Sequence, residues 1–427
     1  MNTHSDHIGV IGLGYVGLPI ALALQSKYKV TGYDINSSKI NQLKKNIDPS
    51  QEVDPKLLAD SALSYTNELS GIAACNIYIV AVPTPVDEHK IPNLKALKSA
   101  CSAISSILKA NDLVIFESTV YPGCTDEICI PILEKHSGLK VNKDFKVGYS
   151  PERINPGDQK RNIYNVVKIV AGSDLEALAQ VAELYSSIIV AGVHQVSNIK
   201  VAEAAKIMEN TQRNVNIALM NEMSMIFDKM DINTREVIAA AATKWNFQSY
   251  YPGLVGGHCI DVDPYYLTHK AELLGYNPEV ILAGKKVNTQ IPKFITKKIV
   301  QLLLDNGKRL IECRVLIKGI TYKENVSDHR NSKVIDLYNE LLGYKLQVDI
   351  HDPMAKHEEI KAVYGIDLIS EYSDKYDVMI LAVSHEEYQK EEWTEWQTVL
   401  KDDAIIYDVK GMSSALKLPD SVIRLYL

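Results

Sequence analysis

The chain is 427 residues long, 46% hydrophobic and 23% charged, with a formal net charge of −7 at pH 7. That length exceeds what one hydrophobic core covers, so two or three domains are expected, and the acidic balance leaves no basic footprint for nucleic acid. Six cysteines without a CxxC pair make no disulfide framework, which suits a reducing cytoplasm, and no apolar run approaches the roughly 20 residues of a membrane span.

Residues 8–20 are apolar enough to be mistaken for a signal-peptide core, but no Lys or Arg precedes them and they hold four glycines. They read instead as a strand, His7–Ile11, a turn Gly12-Leu13-Gly14-Tyr15-Val16-Gly17, and a helix from Leu18 to about Gln25. A second strand, Lys29–Tyr33, ends in Asp34. Strand, GxGxxG, helix, strand and acid, with the acid about 20 residues past the glycines, is a dinucleotide-binding pattern. The glycines let a pyrophosphate approach the helix N-terminus. Asp34 would accept hydrogen bonds from the adenosine ribose and repel a 2′-phosphate, which favours NAD over NADP.

Further strands are expected at Ile77–Val82, Leu113–Glu117 and Lys146–Tyr149. They run into the loops Val82-Pro83-Thr84-Pro85, Glu117-Ser118-Thr119-Val120 and Tyr149-Ser150-Pro151-Glu152-Arg153. Loops at the carboxyl ends of parallel strands line the ligand crevice, so Thr84 and Thr119 become cofactor candidates. From about Asn198 to Lys229 the pattern is one long helix, apolar around most of its circumference, on which Lys206, Asn210 and Arg213 fall at i, i+4 and i+7. Such a stripe faces solvent, a site or a subunit partner. Helical character persists through Arg235–Ala242 and resumes at Tyr265–Leu274.

Between those helices lies Pro252-Gly253-Leu254-Val255-Gly256-Gly257-His258-Cys259-Ile260-Asp261-Val262-Asp263-Pro264. Its glycine pair permits close approach of backbone, and two carboxylates follow the cysteine. Three readings are open on these residues: an activated thiolate nucleophile, an inert core cysteine, or metal binding by His258, Cys259, Asp261 and Asp263. The last does not match the spacing of common zinc sites.

A second α/β unit begins near Arg309, with strands expected at Val315–Gly319, Val348–His351, Val378–Val383 and Ile405–Val409 and helices at Lys333–Leu342 and Lys356–Val363. It lacks GxGxxG. Lys323 and Lys410 instead follow its first and last strands, an arrangement suited to a diphosphate held by point charges.

Taken together, GLGYVGLP (12–19), VPTP (82–85), ESTVYPG (117–123), YSPERINPGD (149–158), KIMEN (206–210), GGHC (256–259) and YKENVSDHRNS (322–332) resemble the UDP-glucose/GDP-mannose dehydrogenase family along nearly the whole chain. GGHCIDVDPYYLTH leans toward the branch acting on UDP-N-acetylhexosamines, UDP-GlcNAc or UDP-GalNAc, including Vi-antigen type enzymes that feed surface polysaccharides. Relatives acting on UDP-glucose or GDP-mannose usually carry a lysine where Val262 stands. The loop before the cysteine is also one residue shorter than the PGPGVGGHC of many relatives. UDP-ManNAc and UDP-glucose dehydrogenases are the neighbouring alternatives. More distant are a two-electron hydroxy-acid dehydrogenase, which would need neither Cys259 nor the second α/β unit, and a nucleotide-sugar sensor.

The resemblance implies an α/β fold of two Rossmann-like, doubly wound parallel-sheet domains joined by a central all-α segment with a long helix. It divides the chain as 1–197 for NAD, 198–300 for dimerisation and the catalytic cysteine, and 301–427 for the UDP-sugar. It makes Cys259 the nucleophile and Lys206 the group handling protons and oxyanion charge. Glu152 and Asp263 become the acids that orient hydrolytic water, and Asn210 and Arg213 sugar- and phosphate-side contacts. NAD falls to Gly12, Gly14, Tyr15, Val16, Gly17, Asp34, Lys39, Thr84, Thr119 and Arg330. The nucleotide sugar falls to Arg153, Ile154, Gly256, Tyr322, Lys323 and Lys410. An arginine lent across the dimer in relatives has no match, Lys244 being the nearest cation. The implied protein is a cytoplasmic homodimer without a metal, catalysing a four-electron oxidation of a primary alcohol to a carboxylate.

Overall fold

The computed structural model describes residues 6–50, 53–153, 162–372 and 375–427. The chain gathers into two compact units, one made of 1–209 with 265–276 and the other of 210–264 with 277–427.

The first unit is built on an eight-stranded sheet of β1 His7–Ile11, β2 Lys29–Tyr33, β3 Ser64–Thr66, β4 Ile77–Val80, β5 Leu113–Phe116, β6 Lys146–Tyr149, β7 Lys168–Gly172 and β8 Val193–Gln195. Their order is β3-β2-β1-β4-β5-β6-β7-β8. Chain order reverses between β1 and β4, which opens a crevice at the carboxyl ends of those two strands. The central strands β4 (IYIV) and β5 (LVIF) are buried at every position. Unbroken apolar runs of this kind belong to strands covered on both faces. All neighbouring pairs run parallel except β6 and β7, which pair antiparallel through Gly148 with Gly172 and Tyr149 with Ala171. The three-residue strands β3 and β8 are too short to show a pattern, and β7 (KIVAG) was not singled out as a strand in the sequence.

The second unit carries a five-stranded parallel sheet: β9 Arg314–Lys318, β10 Gln347–His351, β11 Tyr376–Leu381, β12 Leu400–Asp408 and β13 Ile423–Tyr426, in the order β10-β9-β11-β12-β13. The predicted two-sheet α/β architecture is therefore present. So is the long helix, at Ile199–Asp228, whose residues fall partly to each unit. A second long helix, Glu279–Asp305, contains Pro292 and was hidden in the sequence by that proline. One stripe of it, Ile291, Ile295, Ile299 and Leu303, packs with Val315, Ile317, Leu337 and Leu341 in the core beside the second sheet. Burying each such side chain stabilises by about 1.5–3 kcal/mol. Among the described residues no helix is long and apolar enough to cross a membrane.

Candidate active site

The turn after β1 is shaped by contacts that exclude side chains. Gly12 has φ +91, and a Cβ there would lie 2.7 Å from the Ala81 carbonyl oxygen. A Cβ on Gly17 would lie 1.9 Å from the Gly12 oxygen, whereas nothing lies within 4 Å of one on Gly14. Gly12 and Gly17 thus let the helix Gly17–Leu24 start hard against β1, and Gly14 leaves an open face. Tyr15 is exposed and Val16 half-buried beside it. Asp34 receives the Leu13 amide (3.1 Å) and the Lys39 ammonium (2.9 Å) on Oδ2, and the Asn36 amide (2.9 Å) on Oδ1. Among the described residues Asp34 Oδ1 accepts one of these three bonds and Oδ2 two, so Oδ1 is the oxygen with room for a ribose hydroxyl. Thr84 and Thr119 are joined directly, the Thr84 hydroxyl donating to the Thr119 carbonyl (2.7 Å), and Tyr266 donates to the Thr84 carbonyl (2.5 Å). An open glycine face, a helix N-terminus and an acid with a spare acceptor together fit NAD.

On the same unit, Glu152 is buried just beyond β6. Arg153 is turned to Glu209 (2.6 Å) on the long helix and to the Val167 carbonyl (2.8 Å). Ile154 lies outside the described residues. Glu203, one turn from the buried Lys206, accepts the amides of Gly123 (2.5 Å) and Thr125 (2.9 Å) and so fastens the loop that carries Thr119. Burial pushes the Glu203 carboxyl up to about 7. Of the predicted polar stripe, Lys206 and Asn210 are buried while Arg213 is exposed.

In the second unit, Cys259 is half-buried, and its carbonyl accepts the Asp263 amide (2.9 Å) where the chain turns into the helix Asp263–Leu273. Asp263 is held by the Asn210 amide group (2.5 Å), so two predicted site residues are directly paired. The glycine pair has an internal cause. A Cβ on Gly256 would lie 2.5 Å from the Asn331 oxygen, and one on Gly257 (φ +84) 2.6 Å from the Tyr322 ring. His258, Asp261 and Asp263 point to different partners. His258 approaches Asp328 (3.6 Å), and burial, followed by Arg330, lowers its pKa against the pull of Asp328. Arg330 itself grips Asp328 through two bonds of 2.9 and 2.8 Å.

A buried polar ladder that sequence reading missed holds both ends of the cysteine loop. Asn221 exchanges bonds with Gly253 (2.8 and 3.1 Å) and donates to Asn288 (2.8 Å). Asn288 donates to the Asn214 carbonyl (3.1 Å), and Asn214 to the Ile260 carbonyl (2.8 Å). Lys285 donates to the Asp261 carbonyl (2.5 Å) and pairs with its carboxylate. Asn210, Asn214 and Asn221 recur at i, i+4 and i+11, a one-face pattern that was available in the sequence.

Lys410 borders a recess of about 330 Å³ with Ile217, Arg235, Tyr251, Pro252, Gly253 and Leu254. Arg235 stacks on Tyr251 (5.4 Å) and adds a second cation that sequence reading did not single out. Burial pushes the Lys410 ammonium down, with Glu324 opposing and Arg235 adding to the shift. Gly256, Tyr322, Lys323 and Lys333 line the adjoining recess, again with Lys410.

Three models of one family match in succession: the NAD binding domain over residues 6–189, the central domain over 200–290 and the UDP binding domain over 316–415. The chain is also 48% identical over 405 residues to a UDP-N-acetyl-D-glucosamine 6-dehydrogenase of Pseudomonas aeruginosa, covering 94% of this chain and 96% of that one. The chain belongs to the UDP-glucose/GDP-mannose dehydrogenase family. It is an NAD-dependent dehydrogenase of that family, with a UDP-binding domain. Protein CapL of Staphylococcus aureus is likewise 48% identical, over 96% of this chain and 97% of its own. The solved UDP-D-ManNAc dehydrogenase of Pyrococcus horikoshii superposes with a TM-score of 0.88 at 28% identity, over 98% of each chain.

Proposed function

We propose that this dehydrogenase oxidises C6 of UDP-N-acetylglucosamine to the carboxylate, by way of a covalent adduct on Cys259. The observation that carries the substrate is the 48% identity to the Pseudomonas aeruginosa enzyme named for it. Bound NAD supplies the hydride acceptor, two molecules taking up the four electrons lost by each sugar. Lys206 takes up or shields charge as the C6 hydroxyl loses its proton. The Cys259 thiolate adds to the C6 aldehyde, forming the C–S bond of a thiohemiacetal, and oxidation of that adduct leaves a thioester. Glu152, supported by Asp263 and Asn210, orients a water. Its oxygen bonds to the acyl carbon, its proton passes to Glu152, and the C–S bond breaks to return the thiolate. The pyrophosphate is held by Lys323 and Lys410, with Tyr322, Gly256, Arg153 and Arg213 as further nucleotide-sugar contacts.

Purified enzyme offered UDP-GlcNAc, UDP-GalNAc, UDP-ManNAc and UDP-glucose should form two NADH per UDP-GlcNAc, at the highest kcat/KM of the four. A ratio of one with free aldehyde released would overturn the covalent route, and a preference for UDP-ManNAc would overturn the substrate. Cys259→Ser should lower kcat by at least about a thousandfold with UDP-sugar binding kept.

The uronate product suits surface polysaccharide synthesis in the cytoplasm. We also infer a homodimer built on the long helix, which leaves Val201, Met208, Leu219 and Ile226 exposed. An active monomer by light scattering at assay concentration would refute that assembly.

A further inference from the structure

Behind Glu152 lies a buried ionic cluster that none of the roles above uses. Glu117, the residue after β5, has a fully buried side chain, and the side chain of Lys168, the first residue of β7, is 7% exposed. The Lys168 ammonium donates to Glu117 (2.7 Å), lies 5.0 Å from the centre of the Tyr185 ring, and donates a further bond to the carbonyl of Pro151 (3.2 Å). Tyr185, on the helix Leu175–Ser186 and itself fully buried, donates its hydroxyl to the other oxygen of Glu117. Pro151 immediately precedes Glu152 and has no N–H of its own. On its other side, Ser150 is fixed by its hydroxyl to the Ile169 carbonyl (2.7 Å) and by its amide to the Phe116 carbonyl (2.9 Å).

A buried ion pair is a poor source of stability, since well-packed apolar residues of similar volume usually do as well. What an apolar pair could not do here is grip the Pro151 carbonyl. We propose that Lys168, held in place by Glu117 and Tyr185, is a positioning residue that sets the Pro151–Glu152 peptide and so aims the Glu152 carboxylate at the hydrolytic water. This rests on the reading of Glu152 given above. Burial pushes the Glu117 carboxyl up to about 7; Lys168 pulls it back, and the charge of Glu152 adds to the rise. The groups facing Glu117 are thus Lys168, Tyr185 and Glu152, and ionisation of Glu117 in the working range strengthens its hold on the lysine.

The test compares full-length Lys168→Met, Glu117→Gln and Glu152→Gln with the parent enzyme, by steady-state kinetics from pH 6 to 9 and intact mass after rapid quenching. Lys168→Met should lower kcat by about ten- to a hundredfold, the effect of a misplacement near 1 Å. KM for UDP-sugar and NAD should hold within about twofold, and the acyl adduct on Cys259 should accumulate. Glu117→Gln should remove a kcat inflection near neutral pH. Parental kcat, pH profile and adduct level in Lys168→Met would overturn the proposal while leaving Glu152 in its role. If Glu152→Gln itself keeps parental kcat, the role assigned to Glu152 fails first. Should Lys168→Met not fold, the double variant Lys168→Met/Glu117→Gln, which leaves no lone buried charge, is read against the same outcomes.

Discussion

At the end of β1, Gly12 turns with φ +91 while its amide bonds to the Tyr33 carbonyl (2.9 Å), and the next amide, of Leu13, bonds to Asp34. At the end of β9, Gly319 turns with φ +95 while its amide bonds to the His351 carbonyl (2.8 Å), and the next amide, of Ile320, bonds to Asp352 (2.6 Å). The two units thus make their first crossover with the same glycine and the same acid. They part at the acid's remaining lone pairs. Asp34 keeps an open position on Oδ1. Asp352 accepts Ile320, Thr321 (3.2 Å) and His385 (3.2 Å) on Oδ2, and Met354 and Ala355 (both 2.8 Å) on Oδ1. With its acceptors occupied by the protein, Asp352 is a joint of the fold. A shared turn therefore does not imply a shared ligand.

The largest effect expected from this contrast is in Asp352→Ala, which strands buried donors and should cost about 3–5 kcal/mol of stability. In a thermal melt its transition should fall by about 6–20 degrees or split from that of the first unit. Asp34→Ala should act on binding, raising KM for NAD by about ten- to a hundredfold. It also leaves the buried Leu13 amide without its acceptor, so its melting point in the absence of NAD should fall, but by less than that of Asp352→Ala, which loses five bonds. Were Asp352→Ala to spare stability and raise KM for NAD, the comparison would be reversed. The glycine turn itself separates packing from binding. Gly17→Ala drives a Cβ into the Gly12 carbonyl and should lower the melting point, whereas Gly14→Ala meets open space and should weaken NAD binding at parental stability. Fluorescence titration with NADH reads the difference.

The smallest effect is a divergence in pH dependence. Burial opposes ionisation of Asp352, but His385 and backbone amides outweigh it and hold its pKa below 3.8. Its contribution is therefore present above that value and lost as pH falls through the lower folded one. Glu117 moves the other way, its pKa raised from 4.5 to about 7. The folded state binds the extra proton between those values, so the stability of the first unit should decline as pH rises across them. Urea midpoints followed by a probe in each unit would show the opposite slopes; parallel slopes would contradict the assignment.

The sequence alone carried what depends on spacing along the chain. The strand, glycine turn, helix, strand and Asp34 lie within about thirty residues, and their order has few other folded solutions. The long helix was legible because apolar residues continue around it, and Lys206 and Asn210 share a face by helical period. Tertiary structure decided the contacts between segments distant in sequence. Lys168 opens a strand that was not singled out in the sequence, and the strand order β5-β6-β7 brings it to Glu117 and Pro151. Asp352 resembles Asp34 in every local respect until His385, 33 residues later, occupies it. The pair Gly256–Gly257 reads as room for close approach, but that its Cβ positions are taken by the Asn331 carbonyl and the Tyr322 ring is visible only in the fold. Local pattern determines which conformations a segment can adopt, but which lone pairs and surfaces stay free depends on what packs against them.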